Sequence, residues 1–402
     1  MKISYNGSVM TQLLPFFIVL FAGLFFSDLF AKLHLPWVVA LIVAGILIGP
    51  SGFGVFEPNA TIDFMGEIGL VFLMFMAGLE TRFPSKKEIK EGVGMLTILN
   101  SLIPFIVGLL IGHFFGLGLT ASFLIGIIFI SSSVAVIVPS LQSNGLFKTK
   151  VGKTIIRSTV IQDVLSLVLL SVVLQSSEPV TSLPLPLFYF LLFLALGAMR
   201  FAIPRIRKWL GILSRDTKEM FQDDLRILFV IMIGTVIVFE LLGLHPIIAG
   251  FFAGMVLSHE TQNEKLKEKL RAISYGIFIP IFFVVVGSRT DLSALFGAGG
   301  ALLLTGVIVL GSSLSKYISG WIGARLAGFS VPESNLVGAS TMPALSTTLA
   351  AAFAGFELGI LDENIITALV VLSIITTFVA PILMRIFSSR IPKTEYVEAE
   401  VK

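Results

Sequence analysis

Apolar runs of about 20 residues recur from one end of this chain to the other, and each is long enough to cross a lipid bilayer as a helix. The chain has 402 residues, of which 55% are hydrophobic and 13% are charged. Soluble domains are closer to one-quarter charged. No polar stretch is long enough to form a second, soluble domain. The sequence therefore predicts an all-α, polytopic membrane protein.

Hydropathy predicts thirteen spans in this membrane protein. The first span is expected to be retained, because its apolar part is too long for a signal peptide and lacks a cleavage site. The second and ninth spans are short for a full crossing. The predicted limits are 12–32, 37–50, 64–80, 94–116, 119–142, 154–174, 185–203, 224–243, 246–258, 273–290, 298–326, 333–357 and 364–387.

The distribution of Lys and Arg predicts the orientation. An odd number of spans puts the termini on opposite sides, and with the N-terminus outside, 25 of the 28 Lys and Arg residues fall on the cytoplasmic side. This bias is the positive-inside pattern of a cell (inner) membrane protein with a cytoplasmic C-terminus. The basic excess is then a topology signal, so we expect membrane lipid around the chain and no nucleic-acid partner.

Two ionisable residues lie near the middle of predicted spans. Asp163 stands in "STVIQDVLSL" in the sixth span, and Lys316 stands in "LGSSLSKYISGW" in the eleventh. A charge at this depth costs about 2.5–3.5 kcal/mol on insertion scales, so it normally serves an ion pathway or a partner. A purely structural salt bridge between the two residues is the alternative interpretation.

Two spans carry residues that interrupt helices. The segments are 130–140, with three serines and Pro139, and 340–348, with Pro343. Proline removes a helical hydrogen bond, and non-helical backbone at membrane depth needs a protein or water-filled environment. Paired interruptions in two halves of a transporter-sized chain indicate a binding site where they cross. The candidate crossing residues are Ser131, Pro139, Thr341, Pro343, Ser346 and Thr347.

Asp163 at such a crossing suits a shared cation and proton site. Removal from water favours the protonated carboxyl group, whereas a nearby lysine favours the ionised form. Asp163, Gln162, Ser132 and Ser133 offer the oxygen ligands that a hard monovalent cation requires. Competition between H⁺ and the cation for one carboxylate, with alternating access, predicts electroneutral exchange. Lys316 would balance the charge of the empty site, and a proton released from it would make exchange electrogenic.

The chain resembles the monovalent cation:proton antiporter-2 family over nearly its whole length. The resemblance rests on five segments in family order and at family spacing. They are "IDFMGEIGLVFLMFMAGLE" (62–80), "VGKTIIRSTVIQDVLSL" (151–167), "ELLGLHPIIAGFFAGMVLS" (240–258), "SKYISGWIGARLAG" (315–328) and "FELGILDENIITALVVLSIITTFVAPIL" (356–383).

The resemblance implies a thirteen-helix fold with an inverted repeat, two broken crossing helices and a homodimeric assembly. A core bundle of 94–174 and 298–387 would move against a dimerisation bundle of 12–80 and 224–290, with 185–203 as the linker helix. Asp163 would take the role of the family's ion-binding aspartate and Lys316 that of its salt-bridging basic residue. Ser132 and Ser133 would take the polar positions of the first broken helix.

Three local departures from the family pattern bear on the transported ion and the site. Gln162-Asp163 is similar to Kef-type potassium antiporters, whereas Ser-Ser-Val, ending at Val134, is closer to NapA-type sodium antiporters. Sodium and potassium therefore both remain open. Ala344-Leu345-Ser346 replaces the Arg-Gly-Glu of many relatives, so a bracing charge pair is missing. A C-terminal regulatory domain of the Kef type is not expected.

The leading hypothesis is therefore a cation:proton antiporter that needs no cofactor. The alternative is a channel-like or sensor protein on the same scaffold, without coupled proton transport. An enzyme is not expected, because the chain has no cysteine. It also shows no His or Asp cluster with metal-ligand spacing and no nucleophile–base pair. The only metal ion expected is the transported monovalent cation.

Overall fold

The computed structural model describes residues 7–32, 36–81, 89–177, 220–258, 264–292 and 300–391, with 184 and parts of 187–206. These residues form helices and connecting turns and contain no strand. The helices are α1 Gly7–Lys32, α2 Trp37–Ile48, α3 Ala60–Glu80, α4 Gly94–Phe114, α5 Leu119–Ile130, α6 Val134–Ser143, α7 Lys150–Ser177, α8 Met220–Leu241, α9 Pro246–Leu257, α10 Glu264–Ile273, α11 Ile279–Ser288, α12 Ala301–Leu326, α13 Val331–Thr341, α14 Ser346–Glu357 and α15 Glu363–Ser388.

The thirteen-span, all-helical prediction is confirmed. The helix pairs α5–α6, α10–α11 and α13–α14 each form one span. Nine segments of the described residues are long and apolar enough to cross a membrane. The predicted second and ninth spans are helices of only 12 residues, α2 and α9. The predicted seventh span corresponds to an apolar helix over Leu187–Met199, which is described only in part. A π-helical turn, Ser274–Phe278, joins α10 to α11.

Local sequence explains where several helices begin. The Asn59 side chain accepts a hydrogen bond from the Ile62 N–H at the start of α3. Asp362 caps α15 in the same way through the Ile365 N–H. Short polar side chains at these positions satisfy amides that lack a partner in the first helical turn.

The chain divides into two compact units. The first comprises Met1–Thr81 and Glu178–Arg289, and the second comprises Arg82–Ser177 and Thr290–Lys402. In the second unit the order helix, interrupted helix, helix occurs twice, as α4 to α7 and as α12 to α15. The two copies are seven spans apart. Because seven is odd, the copies cross the membrane in opposite directions, as an inverted repeat requires.

The first unit is held together by close helix contacts at glycines. Gly254 of α9 faces the Phe75 carbonyl of α3, and Gly78 of α3 faces the Phe251 carbonyl of α9, so closely that a methyl group would overlap either oxygen. Small residues allow this approach, which gives membrane helices a large packing surface in the absence of a hydrophobic driving force.

We predict that Gly254→Ala destabilises the protein by about 1–3 kcal/mol, the usual cost of overpacking a close contact. The control is Gly234→Ala in α8, where an added Cβ meets nothing within 4 Å. Thermal unfolding of the purified proteins in detergent measures the difference. Equal melting temperatures for Gly254→Ala and the wild type would show that the α3–α9 contact tolerates the added methyl group.

Candidate ion-binding site

Two helix interruptions meet in the second unit. Residues 131–133 separate α5 from α6, and residues 342–345 separate α13 from α14. Ser131 and Ser133 have extended backbone angles. The Ser133 N–H donates a hydrogen bond of 2.7 Å to the Pro343 carbonyl, so the two interruptions are joined backbone to backbone. The predicted crossing of two broken helices is present.

Side chains satisfy other backbone groups that the interruptions release. The Ser132 hydroxyl donates to the Thr341 carbonyl at 2.8 Å, and the Thr376 hydroxyl of α15 accepts from the Ala344 N–H at 3.1 Å. Unpaired backbone groups at membrane depth cost several kcal/mol each, so these contacts are what allow the helices to stop here.

The position of Pro139 differs from the sequence expectation. Pro139 lies inside α6, six residues beyond Ser133, and its side chain is exposed. The first helix breaks at the serines because their backbone has partners on the opposite stretch, and not because of the proline. Of the other predicted crossing residues, Ser131 lies at the first interruption. The rest lie at the second: Thr341 ends α13, Pro343 lies in the gap, and Ser346 and Thr347 begin α14.

The Asp163 carboxylate lies beside the N-terminal ends of α6 and α14, the helices that follow the two interruptions. Its Oδ1 accepts a hydrogen bond of 2.6 Å from the Ser131 hydroxyl. The Ser132 backbone amide and the Thr347 hydroxyl also interact with the carboxylate. Residues 131–132 lead into α6, and Thr347 lies in the first turn of α14. Helix N-termini stabilise negative charge, so the fold prepares this place for an anion.

The Lys316 ammonium group is surrounded by uncharged oxygens. Its side chain is 1% exposed, and Nζ donates to the backbone carbonyls of Ile130 and Asn100 and to the Asn100 and Gln162 amide oxygens. Ile130 is the last residue of α5, where the helix dipole favours a cation. None of these acceptors is a carboxylate, so among the described residues Lys316 and Asp163 form no direct salt bridge. Asp163 acts on Lys316 through longer-range attraction.

Gln162 contacts the lysine in this arrangement. Its Oε1 accepts from Lys316 Nζ at 3.1 Å, and its Nε2 donates to the Ser158 hydroxyl at 3.0 Å. The residue is fully buried. The amide oxygen predicted to bind the cation is therefore already occupied by Lys316.

Asn100 of α4 is the site residue that sequence reasoning missed. It is fully buried, and its side chain contacts Lys316, Ser319 and Thr341. The available signal was the same as for Asp163, because Asn100 is a lone strongly polar side chain inside the apolar run "LTILNSLIPF". The prediction rested on ionisable groups inside the spans, and the Asn100 amide does not ionise.

Comparison with known proteins agrees with this geometry. The model of the family "Sodium/hydrogen exchanger, transmembrane" matches residues 16–389. The chain belongs to this family. The chain is 35% identical to the probable Na⁺/H⁺ antiporter 3 of Methanocaldococcus jannaschii, over 92% of this chain and 95% of that protein. It is 26% identical to the Na⁺/H⁺-K⁺ antiporter GerN of Bacillus cereus, over 89% and 92% of the two chains.

A solved structure of the family has the same fold. The sodium proton antiporter MjNhaP1 from Methanocaldococcus jannaschii at pH 8 superimposes with a TM-score of 0.64 and 18% identity, covering 98% of this chain and 100% of that chain. The family model and the relative of 35% identity confirm the resemblance to a cation:proton antiporter family. The matching family is the sodium/hydrogen exchanger family as a whole, so the NapA-type or Kef-type branch stays a prediction.

We predict that Lys316→Ala lowers the free energy of unfolding by about 2–3 kcal/mol, because buried oxygens lose a charged donor. The control is Lys153→Ala, since Lys153 is exposed near the start of α7. Thermal unfolding of both variants in detergent measures the effect. A wild-type melting temperature for Lys316→Ala would contradict a stabilising role for this cluster.

Proposed function

We propose that this protein is a secondary active antiporter that exchanges Na⁺ or K⁺ for H⁺ by alternating access. The observation that carries the proposal is the half-buried Asp163 carboxylate at the crossing of two interrupted helices. Membership of the sodium/hydrogen exchanger family supports it. The proton and the cation would compete for this carboxylate, so that the site carries one or the other in each direction.

The oxygen atoms around Asp163 suit a monovalent cation. Hard cations bind carboxylate, hydroxyl and carbonyl oxygens. Besides the Asp163 carboxylate, the Ser131 and Thr347 hydroxyls already face the site. The Ser133 hydroxyl is buried and has no hydrogen-bond partner among the described residues, which leaves it available as a ligand. Ser132 would contribute mainly by joining the two interruptions.

A single titrating carboxylate supports electroneutral exchange of one cation for one proton. The Lys316 ammonium group has hydrogen-bond acceptors independent of Asp163, and a proton released from it in each cycle would make the exchange electrogenic. The ion stays open between Na⁺ and K⁺. Relatives are named for sodium exchange and, in GerN, also for potassium.

We also propose the mechanical and cellular setting of this exchange. The second unit would be the moving core bundle and the first unit the dimerisation bundle of a homodimer, with 185–203 as the linker helix. The protein would lie in the cell (inner) membrane with its N-terminus outside and its C-terminus in the cytoplasm, as the distribution of Lys and Arg indicates.

Replacing Asp163 by Asn tests the function most directly. The amide can neither take up a proton nor balance a cation, so we expect exchange to be abolished. The measurement uses liposomes with an internal pH dye, to which Na⁺ or K⁺ is added at fixed membrane voltage. The matched control is Asp63→Asn, which changes a carboxylate that pairs with Arg289 in the first unit, and it should retain exchange.

The same assay separates antiport from the channel or sensor alternative. A cation-driven pH change that Asp163→Asn loses and Asp63→Asn keeps would support antiport and identify the ion. Cation flux without proton counterflow in the wild type would instead favour a channel. Full exchange by Asp163→Asn would refute the assignment of this residue.

Gln162→Asp tests the stoichiometry. A second carboxylate beside Asp163 adds a second proton-binding group, so we expect exchange to become electrogenic. Gln162→Asn is the control, because it has the same chain length as Asp without the charge. The dependence of exchange rate on an imposed membrane voltage is the measurement. Voltage-independent exchange by Gln162→Asp would count against one carboxylate setting the stoichiometry.

A further inference from the structure

The α4 segment "NSLIP" presents an unusual carbonyl group to Lys316. Asn100 and Pro104 are four residues apart in one helix. Proline has no N–H, so the Asn100 carbonyl has no helical hydrogen-bond donor at this position. The carbonyl instead accepts from Lys316 Nζ at 3.3 Å. Pro104 thus provides an acceptor for a buried cation, beyond any effect on the shape of the helix.

The Asn100 side chain supplies a second acceptor in a defined orientation. Its Nδ2 donates at 2.8 Å to the Lys316 backbone carbonyl, which can only accept. It also donates to the Ser319 hydroxyl at 2.8 Å. These bonds identify the amide nitrogen and oxygen of Asn100. Oδ1 therefore faces Lys316 Nζ, at 3.1 Å. Asn100 therefore holds the lysine through two oxygens of the same residue.

The structure shows one position for the Lys316 ammonium group, and the attraction of Asp163 favours a second, directly paired position. At one, Asn100, Ile130 and Gln162 surround it with uncharged oxygens. At the other, the Asp163 carboxylate attracts it through space. An ammonium group paired directly with Asp163 would occupy the carboxylate that the transported cation needs. The cation therefore binds only when the lysine is at the first place.

We propose that Asn100 and Pro104 form a resting site for Lys316 that competes with Asp163 for the lysine and thereby sets the apparent affinity for the transported cation. Asn100 acts as a positioning residue, because it acts through Lys316. The proposal rests on the proposed function in one respect, namely that Asp163 binds the cation. The apparent dissociation constant equals the intrinsic constant divided by the fraction of protein whose lysine is at rest.

Two variants that weaken the resting site should raise the KM for the cation with little change in maximal rate. Asn100→Ala removes the amide acceptor, and we expect a rise of about tenfold or more, the size of one charge-assisted hydrogen bond. Pro104→Ala returns a helical N–H to the Asn100 carbonyl and should raise KM in the same direction. Because alanine favours an intact helix, Pro104→Ala should not impair folding.

Asn100→Asp should act in the opposite direction. A carboxylate at this position holds the ammonium group more firmly and lowers its competition for Asp163. We expect a KM at or below that of the wild type, although the Nδ2 donors are lost. A merely structural role for Asn100 predicts impairment in both variants, because both remove the bonds that Nδ2 donates to the Lys316 carbonyl and the Ser319 hydroxyl.

The controls are Ser101→Ala and Pro15→Ala. The Ser101 hydroxyl is buried on the same helix without a partner among the described residues, and Pro15 lies inside α1 of the first unit. Both should leave KM unchanged. A rise in KM for Asn100→Ala and Pro104→Ala without a rise for Asn100→Asp would support the proposal. An unchanged KM for Pro104→Ala, or a rise for Asn100→Asp equal to that for Asn100→Ala, would overturn it.

A binding measurement separates this proposal from the proposed function. The shift of melting temperature with added NaCl or KCl, against choline chloride, reports cation affinity without transport. If the wild type binds a cation but exchanges no protons, the antiporter assignment fails, and the order of affinities among the three variants still decides the resting site. If Asn100→Ala does not fold, Pro104→Ala and Asn100→Asp decide it in the same assay.

Discussion

A backbone amide or carbonyl group inside a bilayer must find its partner within the protein, and the second unit is organised around this requirement. Stopping two helices at membrane depth releases polar groups that water cannot satisfy. The bond from the Ser133 N–H to the Pro343 carbonyl, and that from the Ser132 hydroxyl to the Thr341 carbonyl, satisfy them reciprocally. Each interruption is therefore stable only because the other is present. As a result, the ends of α5 and α13 and the starts of α6 and α14 lie close together.

The convergence of helix ends explains how opposite charges coexist at this depth. Asp163 lies beside helix starts, which favour an anion, and Lys316 lies at the end of α5, which favours a cation. Neither charge needs the other as a direct partner, although each is costly on its own. An ion site of this kind can exchange its occupant, because a cation that binds to Asp163 does not leave an unsupported lysine.

Close glycine packing occurs in both units, as at Gly254 in the first and at Gly126 and Gly338 in the second, and the second unit adds a polar network. In the first unit, glycines bring α3 and α9 into contact along carbonyl groups, and the packing surface itself holds the helices. In the second unit, a network of hydroxyl, amide and ammonium groups joins α4, α5, α7, α12 and α13 around Asn100 and Gln162. The polar network of the second unit surrounds the proposed ion site.

The sequence by itself determined the membrane-helix class and the thirteen spans, and it singled out Asp163 and Lys316 as charges within spans, because apolar length and the position of a charge are local properties of the chain. Only the tertiary structure decided which groups these residues contact. Lys316 binds Asn100 and Gln162 through bonds that span 216 and 154 positions of sequence, and no local pattern encodes such partners. The break lies at the serines and not at Pro139 for the same reason. Its backbone partners belong to the other half of the repeat, so they exist only once both halves are folded together.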